Sequence, residues 1–86
     1  MFSVRTPGML GAARAEALFA SDLSAGERHT PEQVTAAITT AIRRNGGTRG
    51  CAAVMASAYG DRPELAAPRM RWARATVATV YRPTGR

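Results

Sequence analysis

The sequence predicts an all-α fold, on three observations. Two proline-led helix starts punctuate the chain, Thr30-Pro31-Glu32-Gln33 and Asp61-Arg62-Pro63-Glu64. In each, a capping residue comes just ahead of a proline placed in the first helical turn, where no backbone donor is needed. Apolar residues recur at three- and four-residue intervals, the helical period. The β-branched residues are scattered rather than alternating, so no strand pattern emerges. The expected architecture is a small bundle of about four helices, with a helix-turn-helix-like pair near its C-terminal end.

Met1 to Gly11 contains Pro7, Gly8 and Gly11 and reads as an irregular leader. A single helical domain is expected over residues 12–82, followed by a short tail at 83–86. The first helix should run from Ala12 to about Asp22, with Ala15, Leu18, Phe19 and Leu23 as its apolar edge. Ser24 to His29 is a polar connection. In the second helix, Thr30 accepts from a first-turn N–H, Pro31 takes the first position, and Gln33 reaches back as in a capping box. Its apolar stripe is Val34, Ala37, Ile38, Ala41 and Ile42, and Arg43 and Arg44 occupy the last turn, where the helix dipole favours cations. Asn45-Gly46-Gly47 ends it.

Thr48 reads as the cap of a third helix with Cys51, Ala52, Met55, Ala58 and Tyr59 on its inner side, closed by Gly60. Asp61 reads as the cap of a fourth that runs to about Tyr81, with Glu64 three residues after the cap. Pro68 falls inside it. A proline there removes a donor and crowds the preceding turn, costing about 3 kcal/mol, so a kink, or a short turn at 62–66 and a helix from 68, is expected.

Eighty-six residues make one domain. A chain this short buries only about 60–65% of the surface its unfolded form exposes. Alanine occurs eighteen times. It packs helices closely but contributes little buried area, so a modestly stable monomer is expected, one that homo-oligomerisation would help.

All twelve basic side chains are arginine, and the net charge is +6. Codon bias of the kind a GC-rich genome produces would explain much of the missing lysine but not where the arginines sit. Residues 1–30 balance to zero; residues 31–60 carry Arg43, Arg44 and Arg49 against Glu32, for +2. Residues 61–86 carry six arginines against Asp61 and Glu64, for +4. Positive charge gathered at one end favours polyanions, acidic proteins or anionic surfaces.

One cysteine and one histidine exclude an internal disulfide and a Cys/His zinc site within one chain, and no cofactor is implied. No apolar run approaches the ~18 residues of a membrane span. The N-terminal stretch faintly resembles an organelle transit peptide and lacks the apolar core of a secretory signal. A cytoplasmic setting is expected.

On a helical wheel the fourth helix gathers Ala66, Met70, Ala73, Val77 and Val80 on one stripe, widened by Leu65 and Trp72. Arg71, Arg74 and Arg82 fall opposite. Arg69 lies beside the stripe, so its guanidinium must snorkel or pair, with Glu64 or Asp61 as near candidates. Either this is a solvated face, or it binds a partner. Ala56 followed by Gly60 at a helix end and a basic helix has helix-turn-helix spacing, in which Gly supplies a positive φ. Arg62, Glu64 and Arg69 would then approach the major groove, with Arg71 and Arg74 near phosphates. Asp61, standing where such motifs bury an aliphatic residue, and Pro68 inside the recognition helix argue against it.

Gly46-Gly47-Thr48-Arg49-Gly50-Cys51 opens a helix and reads as a plain connection or an anion cradle; it lacks the Lys-Ser/Thr pair of a P-loop. Cys51 in a first turn near Arg49 is open to a lowered pKa, against which stands a small buried thiol. His29 reads as exposed. The carboxylates go to helix starts and turns, and no pair suggests acid–base catalysis.

Leu18-Phe19-Ala20-Ser21-Asp22-Leu23, Arg49-Gly50-Cys51-Ala52-Ala53, Tyr59-Gly60-Asp61 with Pro63-Glu64, and Arg69-Met70-Arg71-Trp72-Ala73 resemble stretches in a group of short, uncharacterised proteins of high-GC actinobacteria. The resemblance spans residues 18–23 and 49–77 and implies a source but no mechanism, since the group has no established activity. Pro68 departs from it, in a place where alanine would sit more comfortably.

The expected function is that of a non-enzymatic accessory or regulatory factor that binds an acidic partner, DNA first. Arg71, Arg74 and Arg82 would contact phosphate, Arg62 and Arg69 would act at the helix start, and Trp72 would be a packing anchor. The alternative is a protein-interaction adaptor or homodimer in which Leu65, Met70, Trp72 and Val77 meet a partner helix or a second copy. A thiol enzyme or sensor built on Cys51 is the remaining reading.

Overall fold

The computed structural model describes residues 6–82, which form four helices and no strand: α1 (Thr6–Phe19), α2 (Pro31–Arg44), α3 (Thr48–Asp61) and α4 (Pro63–Val80). The expectations for residues 1–5 and for the 83–86 tail lie outside the described residues. Residues 6–11, read from the sequence as leader, are helical. Pro7 is the second residue of α1, a first-turn position that proline tolerates, so a composition that looks like loop is also a helix start.

α2 begins as its sequence specifies. Thr30 is extended (φ −75°, ψ 158°); its hydroxyl accepts the Gln33 N–H at 3.1 Å, and its own N–H donates to Gln33 Oε1 at 2.8 Å. Two orphan donors of the first turn are satisfied reciprocally. At the other end Asn45 donates twice to the Ala41 carbonyl, through its N–H at 3.0 Å and its Nδ2 at 2.8 Å. The chain then turns through Gly46 (φ 78°) and Gly47 (φ 114°), and Gly47 N–H returns to Ile42 O at 2.7 Å.

Two expected caps are corrected. Gly47, not Thr48, is the N-cap of α3, with no side-chain hydrogen bond. Asp61 is the last residue of α3 rather than the cap of α4. The single linking residue, Arg62, closes one helix and opens the next: its N–H reaches Ala58 O at 2.8 Å, and its carbonyl accepts from Leu65 and Ala66 at 3.0 and 2.9 Å. Gly60 sits inside α3, and the only glycines of positive φ among the described residues are Gly46 and Gly47. The left-handed turn expected of a helix-turn-helix at Gly60 is therefore absent. α4 runs through Pro68 as one helix. Pro68 lies on its exposed side, as does Glu64, the residue whose carbonyl loses its donor.

α1 packs against all three other helices, most extensively against α4, and so forms the spine of the bundle. The core combines Ala15, Ala17, Leu18 and Phe19 of α1 with Val34, Ile38 and Ala41 of α2, Cys51 of α3, and Ala66, Met70, Ala73 and Val77 of α4. Five of these twelve are alanine, so the helices approach closely while few large side chains supply the burial, each worth about 1.5–3 kcal/mol. None of the described helices is long and apolar enough to cross a membrane.

Candidate functional site

The two flanks of α4 do different work. Ala66, Met70, Ala73 and Val77 face the core, as their spacing requires. Arg71 and Arg74, three residues apart and hence neighbours on the helix surface, are exposed, as are Arg62 at the α3–α4 corner and Arg82 just past the helix end. From Arg62 to Arg82 the helix rises roughly 30 Å. Among the described residues one ion pair lies within 4 Å, Arg44 Nη1 to Asp22 Oδ2 at 2.9 Å, between α2 and the α1–α2 connection. The exposed arginines of α4 thus have no carboxylate partner at that range. Arg74 lines a groove of about 270 Å³ with Glu16, Met55 and Tyr59, between α1, α3 and α4.

Arg69 belongs to a different arrangement, and its expected pairing is corrected. It meets neither Glu64 nor Asp61. Its Nε donates to Phe19 O at 2.8 Å, and its Nη2 donates to Ser21 O at 2.9 Å and Leu18 O at 3.4 Å. These carbonyls end α1, where the macrodipole leaves partial negative charge, so the guanidinium caps a helix from fifty residues away. It also lies 4.9 Å from the Trp72 ring centre and 5.8 Å from that of Phe19. Burial pulls its pKa down, and the Asp22 charge partly offsets this. With Nε and Nη2 committed inward, Arg69 is held against the end of α1, unlike the exposed arginines of α4.

The four apolar residues of the adaptor reading do not share a surface. Met70 and Val77 are core residues, 4% and 5% exposed, whereas Leu65 is 59% exposed. Trp72 is half-buried between Arg69 and His29, whose ring meets it edge-on at 6.4 Å. His29, expected to be exposed, is half-buried and has its Nε2 2.6 Å from the Ser24 carbonyl, so the α1–α2 connection is fastened over the tryptophan.

Cys51 is fully buried, its thiol donating to Ala41 O at 3.5 Å. Burial pushes its pKa up, more than the Asn45 contact lowers it, and Glu16 adds to the rise. The dipole-lowered thiolate considered from the sequence is therefore corrected: the site favours the neutral thiol. His29 and Cys51 make their hydrogen bonds with different residues, Ser24 for the one and Ala41 and Asn45 for the other. Among the described residues no three His, Cys, Asp or Glu side chains gather as a metal site would require.

One cluster was not visible in the sequence. The Arg14 guanidinium stacks 3.8 Å over the Tyr81 ring, and Tyr81 Oη lies 3.2 Å from Thr35 Oγ1, tying the end of α4 to α1 and α2. These partners lie dozens of residues apart, and no local spacing signals such a pairing.

Fold and surface together define a small all-α bundle with an arginine-bearing outer flank on its last helix. The chain matches no family model, no curated protein and no solved structure.

Proposed function

We propose that the protein is a non-enzymatic, cytoplasmic accessory or regulatory module that binds DNA through the exposed arginines of α4. The observation that carries this is the contrast along one helix. Arg69 is held by carbonyls of α1, whereas Arg71 and Arg74, a few residues on, are exposed and have no carboxylate within 4 Å among the described residues. Unpaired guanidinium groups one helical turn apart suit phosphate oxygens, which accept bidentate donation and release counterions when neutralised. Arg62 and Arg82 extend the same charge to either end of the helix. The role of Arg69 is then to fix α4 against α1, not to touch the partner.

The test is fluorescence anisotropy of labelled DNA titrated with the protein at low salt. Saturable binding that weakens steeply as salt is raised supports the proposal. A flat signal at micromolar protein removes it.

A further inference from the structure

Resting on the reading of α4 as a DNA-binding face, we infer that the protein prefers duplex over single-stranded DNA, because its arginine flank is built for phosphates and, among the described residues, no aromatic ring stands fully exposed for an unpaired base. Proteins that hold single strands combine a basic groove with aromatic side chains on which successive bases stack. Here each aromatic side chain of the described residues already has a stacking partner within the fold, including Tyr59, which shares the groove lined by Arg74. Phe19 is buried and stacks on Tyr59, centroids 6.2 Å apart. Trp72 is held between the Arg69 guanidinium and the His29 edge. Tyr81 is covered by Arg14 at 3.8 Å, and its hydroxyl lies beside Thr35. None of the four is fully exposed.

On the outer side of α4, Ala75 and Ala78 are exposed beside Arg71 and Arg74. A helix trimmed in this way approaches a groove or a pair of phosphate strands closely, and the major groove, about 12 Å wide, admits an α-helix. The duplex also carries the denser charge, so each neutralised phosphate contributes a salt slope of about −0.9 there against about −0.7 on a single strand.

The experiment titrates a labelled duplex and each of its separated strands in parallel, at equal nucleotide concentration and several salt concentrations. The duplex is expected to bind about tenfold more tightly or better, since stacking one base alone is worth that much to a single-strand binder. An Arg71→Ala, Arg74→Ala double variant, checked for helix content by circular dichroism, should lose duplex affinity. Single strands bound as tightly as the duplex would overturn the inference while leaving DNA binding standing. Binding of neither form would remove the DNA reading and this inference with it.

Discussion

Arg69 on α4 donates its Nε hydrogen to the main-chain carbonyl of Phe19, the last residue of α1, at 2.8 Å. Two further donations, to Ser21 and Leu18, and the flanking rings of Phe19 and Trp72 make this the junction at which the two most extensively packed helices are locked in register. Hydrogen bonds made by a charged donor are worth more than neutral ones, and removing the donor takes away the side-chain partner of the Phe19 and Ser21 carbonyls, whereas Leu18 O keeps its bonds from Ser21.

Arg69→Met should therefore destabilise the protein by roughly 2–3 kcal/mol. For a domain of this size that is about 10–20 °C in Tm, read by thermal denaturation. Arg69→Lys should recover only part of the loss, because an ammonium group cannot reproduce the planar fork that reaches several carbonyls at once. A Tm unchanged in Arg69→Met would show that the junction contributes nothing.

The corner between α3 and α4 is tested by glycine substitution. A Cβ at Gly60 meets nothing within 4 Å, and its φ is not positive. Gly60→Ala should stabilise by about 0.4–1 kcal/mol, through the unfolded chain. Gly50 is the opposite case, since a Cβ there collides with the Asn45 carbonyl oxygen. Gly50→Ala should cost about 1–3 kcal/mol. Urea denaturation of both variants separates them, and a destabilised Gly60→Ala would restore the left-handed turn that the structure lacks.

Pro68 is exposed and lies within an unbroken α4. Its substitution by alanine restores one backbone hydrogen bond and relieves crowding, for a gain of about 1–3 kcal/mol. Denaturant midpoints should move upward with no change in the m-value. A loss of stability would mean that the proline ring makes a contact the fold depends on.

Burial holds the Cys51 thiol in its neutral form. Its folded pKa lies above its unfolded one, so its contribution to stability is complete below the ordinary thiol value of about 8.5 and is lost as pH rises past it. Alkylation at neutral pH should be slow in the folded protein and fast in denaturant. Rapid modification of the native state would revive a reactive thiol.

What could be read from the sequence was local. Thr30, Pro31 and Gln33 stand within four residues of one another, so their capping geometry was written in the order of the residues. The α4 stripe of Ala66, Met70, Ala73 and Val77 was likewise legible from its period. The α3–α4 boundary was misplaced because one residue joins the helices. Asp61 carries the signature of a cap but is spent as the last residue of α3, and Arg62 serves both ends. Of the candidate site, the exposure of Arg71 and Arg74 followed from the wheel. The partners of Arg69 did not, since carbonyls fifty residues upstream leave no trace in local spacing. The stacking of Arg14 on Tyr81 was hidden for the same reason.

The central claim is that the exposed arginines of α4 meet phosphate and Arg69 does not. The most direct test is the salt dependence of DNA affinity for the wild-type protein, Arg71→Ala, Arg74→Ala and Arg69→Met, each measured well below its melting temperature. Each exposed arginine removed should flatten the log–log slope by about 0.9, whereas Arg69→Met should leave the slope unchanged despite its lower Tm. A slope indifferent to Arg71 and Arg74, or one that falls on loss of Arg69, would contradict the account.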